Sequence, residues 1–214
     1  MTTLGVAIPC YEKHLRFLPR VLASIATQTL LPTMVAVSCS GVYAVELDSL
    51  AYPFPLKILT SPKPQNAAQN RNVAARALGD VDALLFFDAD DIMHPQRVEA
   101  VAQAFQDPGC VLVVHNFAFK SDAEREDLVS RVFEDFEIQK GGVTLGKDCL
   151  VAARHIHHGH VSVRRETYNQ RPFCEQDQFE DTPFCYRICC ALGPSEHATY
   201  IATPLSIYDC PVPT

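Results

Sequence analysis

The feature that most constrains this chain is a series of short, wholly apolar runs separated by stretches with helical spacing. Residues 6–9, 34–38, 56–60, 83–87 and 111–115 read as strands. Strands that are apolar on both faces belong in a mostly parallel sheet with helices covering each side. The intervening segments supply those helices. Leu15, Leu18, Leu22 and Ile25 recur at helical spacing within 15–28, and 66–78 opens on Asn66 with Gln69 three residues later, a capping-box pattern. A third helix is expected over 95–105, with Pro95 in its first turn. Beyond residue 116 the alternation weakens. Residues 120–150 are charged and then glycine-rich (KSDAEREDLVSR, KGGVTLGK), as an insertion or flap would be. A strand at 160–164, a helix over 182–192 and a last strand at 200–207 complete the expected α/β layout.

The length, 214 residues, suits one large domain, and 48% hydrophobic with 20% charged residues is enough to build its core. A formal net charge of −7 with no long basic run argues against nucleic acid as a partner. No apolar stretch approaches the ~20 residues of a membrane span. The start, MTTLGVAIPCYEKH, lacks the basic opening of a secretory signal. The nine cysteines are odd in number and form no CxxC pair, so they read as reduced, buried thiols of a cytoplasmic protein. Further domains beyond Thr214 are compatible with this reading.

The segment LLFFDADDIMHP (84–95) ends a buried strand in three aspartates. In open α/β sheets ligands bind at the carboxyl ends of strands. Asp88, Asp90 and Asp91 fall at such an end, as do Pro9-Cys10-Tyr11 and the turn 38–41. A solvated turn, with Asp91 or His94 capping the next helix, is one reading. A calcium loop is not, because its glycine and alternating oxygen ligands are missing at Ile92 and Met93. A phosphatase of the haloacid dehalogenase type would use Asp88 as nucleophile, but on a first strand and followed by Thr or Val. A DxD site fits better: two carboxylates two residues apart can serve one Mn²⁺ or Mg²⁺ that also binds a diphosphate. The chain has neither GxGxxG nor GxxxxGK[ST], so phosphates would be held through metal and not by a glycine-rich cradle.

Four segments then fall into one pattern. VAIPCYEKHLRFLPRVLASIATQT, NAAQNRNVAARALGDVDALLFFDADD, HGHVSVRRE and EQDQFEDTPFCYR, in that order, resemble the motifs of family 2 glycosyltransferases of the GT-A fold. The resemblance spans about Val6 to Tyr208. It implies a single GT-A-like domain over 1–214: a Rossmann-like, mostly parallel sheet with a nucleotide-sugar-binding half at 1–115 and a smaller acceptor-binding half at 116–214. It implies inverting, Mn²⁺- or Mg²⁺-dependent transfer of a sugar from a nucleoside diphosphate donor, a UDP-sugar, to a hydroxyl of a glycan or protein-linked glycan. A non-catalytic sugar-nucleotide-binding module is the alternative besides the phosphatase.

By matching position, Tyr11 would stack on the base, with Pro9, Glu12, Ser40 and Ala89 also at the nucleotide. Arg71 would contact base or pyrophosphate. Asp88 would bind ribose or metal and Asp90 the metal. Asp181 would be the general base, with Glu180 the second choice. The residues themselves agree with the last assignment: Thr182-Pro183 reads as N-cap and first residue of a helix, whose N-terminus favours an ionised Asp181. A plain helix-start charge is the simpler reading of Asp181. One departure concerns the turn after the second strand, where the family often has an Asp that reads uracil. Here it is Ser38-Cys39-Ser40-Gly41, so recognition would fall to hydroxyls or backbone. In RHIHHGH, His155, His157, His158 and His160 lack the spacing of a zinc site. His158 and His160 are expected on the acceptor side of the cleft or simply exposed.

Overall fold

The computed structural model of the chain describes residues 2–46, 51–119, 143–145, 160–176 and 180–208. The expected alternation is present. β1 (Leu4–Tyr11), α1 (Leu18–Ala26), β2 (Met34–Ser40), β3 (Leu56–Ser61), α2 (Ala67–Ala77), β4 (Ala83–Phe86), β5 (Ile92–Met93) and α3 (Arg97–Ala104) form the first part. β6 (Cys110–Phe119), β7 (Val143–Leu145), β8 (Val161–Arg164), α4 (Arg165–Gln170), α5 (Asp181–Cys190) and β9 (His197–Tyr208) follow. Most of the expected insertion, 120–142, lies outside the described residues, and so do His155, His157 and His158.

All these strands belong to one sheet of order β3-β2-β1-β4-β8-β6-β9-β5, with β7 pairing on β9. β1, β2, β3 and β4 are parallel, as expected of strands apolar on both faces. β8 runs antiparallel between β4 and β6, which restores β6 and then β9 to the direction of β4. The carboxyl ends of β1, β2, β4, β6 and β9 therefore share one edge of the sheet. β5 and β7 attach to β9 antiparallel.

Alternation of side chains along each strand divides the core in two. Val6, Ile8, Val35, Val37, Leu85 and Phe87 face one side and pack on Leu18, Val21, Leu22 and Ile25 of α1 and Val98 and Val101 of α3. Ala7, Ala36, Leu84 and Phe86 face the other, against α2 and α5. The small side chains under α2 let it approach closely: a Cβ on Gly5 would lie 2.9 Å from Leu78 Cδ1. Phe86 makes edge contacts with Phe173 and Phe184, which stack on each other with centroids 4.0 Å apart.

Three local details differ from expectation. The helix expected over 15–28 begins as a 3₁₀ segment (Glu12–Phe17) and becomes α-helical only at Leu18, with Pro19 in its first turn, where a missing N–H does no harm. α5 starts at Asp181, two residues earlier than the Thr182-Pro183 signal suggests, so Glu180 takes the capping position. Among the seven described cysteines, none bridged, Cys190 is exposed and Cys174 half-buried, while the other five are buried as expected. Among the described residues no helix is long and apolar enough to cross a membrane.

Candidate active site

The shared edge of the sheet carries a cleft of about 370 Å³. Of the residues picked out by sequence, Pro9, Tyr11, Arg71, Asp88, Ala89, Asp90 and Glu180 line it; His14, Ala67 and Tyr208 complete its wall. His14 is one 3₁₀ turn beyond Tyr11, and their rings meet edge to face at 5.6 Å. Tyr208 ends β9. The strand-end rule, applied to that last strand, would have found it.

The second motif works through three consecutive residues of α2, each about 100° around the helix from the last. The capping box is formed: Asn66 accepts from Gln69 N–H at 2.8 Å and Gln69 accepts from Asn66 N–H at 3.0 Å. Asn70 turns toward β2, accepting from Ser38 Oγ at 2.8 Å and donating to Ser40 Oγ at 2.9 Å. Ser40 is thus buried and held by α2, and Gly41, at φ 80°, makes the left-handed turn that follows. Asn72 turns the other way, donating to the Phe173 carbonyl at 2.9 Å and accepting from Tyr168 Oη at 2.8 Å.

Between them Arg71 points to the carboxylates. Its Nη2 donates to Asp88 Oδ1 at 2.7 Å, Nη1 donates to Glu180 Oε1, and Nη1 lies 3.3 Å from Asp181 Oδ1. The guanidinium also lies over the Phe173 ring, 5.5 Å from its centroid. Burial alone would lower its pKa, but Asp88, Asp181 and Glu180 more than offset this and hold it above the ordinary value. The residue expected at base or pyrophosphate is, in this structure, the counter-ion of three acids. Burial also raises the Tyr11 phenol, with Arg71 pulling the other way.

The three aspartates of DADD have separated. Asp88, with a side chain 15% exposed, is tied to Arg71. Asp90 is half-buried on the cleft, and its carbonyl accepts from Arg20 Nη2. Asp91 is fully buried, with Oδ2 3.7 Å from Nε2 of His160. His160 is itself buried, stacked on Phe117 at 4.7 Å and beside His115. Glu12 is exposed at the start of the 3₁₀ segment, beside Gly41. Asp181 opens α5 with a side chain only 3% exposed, while Glu180 borders the cleft.

The fit to a divalent cation can be judged from this donor set. Among the described residues no three His, Cys, Asp or Glu side chains are grouped so as to hold an ion. Three carboxylates, Asp88, Glu180 and Asp181, nevertheless converge on one cation, Arg71, and Asp90 lines the same cleft. An ion bound by one or two carboxylates, with phosphate oxygens and water completing its shell, suits such a site; a fully caged resident ion does not.

Residues 5–173 match the family model described as "Glycosyl transferase family 2". A relative from Haemophilus influenzae, described as an uncharacterized glycosyltransferase, is 30% identical over 145 residues, 66% of this chain and 48% of its own. Among solved structures, S. aureus TarS 1–349 in complex with UDP-GlcNAc aligns with a TM-score of 0.69 at 13% identity, over 100% of this chain and 60% of its own. The mannosyltransferase PcManGT from Pyrobaculum calidifontis, in complex with GDP-Man and Mn²⁺, aligns at 0.62 and 19% identity, over 97% and 57%. The chain spans about half to three fifths of the length of these relatives.

Proposed function

This chain belongs to glycosyl transferase family 2, and on that premise we propose that it transfers a sugar, with inversion, from a nucleoside diphosphate donor to an acceptor hydroxyl. The observation that carries the reading is the convergence of Tyr11, Asp88, Asp90 and Glu180 with Arg71 on one cleft at the carboxyl ends of the strands. Tyr11 is the stacking surface for the base, as the rim aromatic of β1. UDP is the favoured nucleotide on the motif resemblance and on the UDP-containing ligand of one structural neighbour, although another holds GDP-Man.

Mn²⁺ or Mg²⁺, held by Asp90 with Asp88 beside it, would supply neutralisation of the charge that develops on the departing diphosphate. The protein's own groups do the rest. The Glu180-Asp181 pair takes the proton from the acceptor hydroxyl, with Asp181 placed in the first turn of α5. Arg71 supplies the buried positive charge that Asp88 and this pair share. Asp88 is engaged by that guanidinium, an arrangement that suits orientation of a ribose or ion better than nucleophilic attack on a phosphate. We assign residues 1–115 to the donor and 116–214 to the acceptor.

The test is transfer or hydrolysis of UDP- and GDP-sugars by the wild type with Mn²⁺, by the wild type with EDTA, and by Asp90→Ala with Mn²⁺. Turnover only in the first supports the proposal. Equal turnover in all three removes it.

A further inference from the structure

Helix α1 meets the segment that follows β4 through polar groups four residues apart. Arg20 Nη2 donates to the Asp90 carbonyl. Ser24 Oγ accepts from Met93 N–H at 3.2 Å. Gln28, just past the helix, donates to the His94 carbonyl at 2.7 Å and accepts from Val98 N–H at 3.0 Å. Residues at this spacing lie on one helix face, and each turn advances about 5.4 Å. Successive turns of α1 therefore fix successive points of the loop.

Among these contacts, only the one from Arg20 reaches the aspartate turn. Its guanidinium lies over the Phe17 ring, 5.2 Å from the centroid, which restrains its plane. The neighbours of Asp90 are secured by side chains, Asp88 through Arg71 and Asp91 in the interior near His160. At Asp90 the hold from α1 is on the peptide, and the residue lines the cleft.

We propose that Arg20 is a positioning residue for the metal-bearing turn: by holding the Asp90 carbonyl it sets the direction in which the Asp90 carboxylate meets a divalent cation. The inference rests on the metal-dependent reading above. Arg20 does not line the cleft, and its hydrogen bond to the Asp90 carbonyl is what ties it to the site. Ser24 and Gln28 continue to hold the loop from Met93 onward without it. Loss of Arg20 therefore loosens the turn while leaving the rest of the docked segment in place.

Binding of Mn²⁺ in the presence of UDP, and of GDP in parallel, is measured from the electron paramagnetic resonance signal of free Mn²⁺. The proteins compared are wild type, Arg20→Met, which keeps an unbranched side chain without the guanidinium, and Arg20→Lys. Arg20→Met is expected to bind Mn²⁺ about tenfold more weakly, and Arg20→Lys about threefold, as for groups that orient a metal ligand. Melting temperature without metal or nucleotide should fall by no more than about 4 °C. Wild-type affinity in Arg20→Met overturns the role of Arg20 and leaves the metal reading standing. A wild type that binds no Mn²⁺ with either nucleotide removes the metal reading and this inference with it. Should Arg20→Met fail to fold, Arg20→Lys decides: weakened Mn²⁺ binding supports the role, and wild-type affinity makes Arg20 structural only.

Discussion

Arg71 Nη1 stands 3.3 Å from Asp181 Oδ1, although the two residues are far apart in the sequence and belong to helices on the same face of the sheet. Through this contact, and through Asp88 and Glu180, the two ends of the cleft share one buried cation.

Removing that cation should be severe. Arg71→Met removes the cation that three carboxylates share, and breaking a buried ion pair from one side costs roughly 3–5 kcal/mol. Urea unfolding at neutral pH should show a loss of that order. A loss below about 1 kcal/mol would mean that the acids find other partners.

The choice of base is open to a paired comparison. Asp181→Asn should lower kcat by about 10²–10⁴-fold, the usual contribution of a general base, with a smaller effect on donor KM. Glu180→Gln, which removes a cleft-lining acid bound to Arg71, should retain more turnover. The opposite ranking would move the base to Glu180.

Acid should destabilise the fold through buried histidines. His94 Nδ1 accepts from Gln96 N–H at 3.0 Å, and burial pushes its pKa from 6.5 down to about 4. The folded state thus binds fewer protons than the unfolded chain, so this contribution is complete above pH 6.5 and is lost as pH falls toward about 4. It amounts to roughly 2–3 kcal/mol. Burial, with Arg97 adding to it, drives His115 further in the same direction. His94→Gln should flatten the pH dependence of unfolding over this range, and an unchanged slope would rule out His94 as its source.

A distant glycine gives a control on the fold. A Cβ at Gly109 would lie 2.5 Å from the Ser195 carbonyl oxygen, where only backbone could yield. Gly109→Ala should be destabilised by roughly 1–3 kcal/mol, read from its thermal transition, with donor KM unchanged because the site is far along the sheet from the cleft. Wild-type stability would mean that the β6–β9 junction shifts freely.

Much of the lining of this cleft could be read from the chain because its signals are local. The apolar run ending in DADD, the Asn66–Gln69 cap and the rim position of Tyr11 each lie within a few residues. β5 was not legible: Ile92 and Met93 become a strand only by pairing with Ile207 and Ser206. α4, with the sequence RETYNQ, has no apolar stripe to announce it. Glu180, as a partner of Arg71, was hidden for the same reason as β5, since no spacing within α2 reveals an acid that arrives 109 residues later. The inward turn of Asp91 depends on His160 in the same way.

The pairing of β5 with β9 also has a kinetic consequence. The loop carrying Asp90 is anchored downstream by a strand more than 110 residues further along, and contacts of such separation form late because a long chain must close first. On refolding, helical signal should therefore return before nucleotide binding does. The chemistry of the cleft would be the last property the chain acquires, although its acidic loop lies in the first half of the sequence.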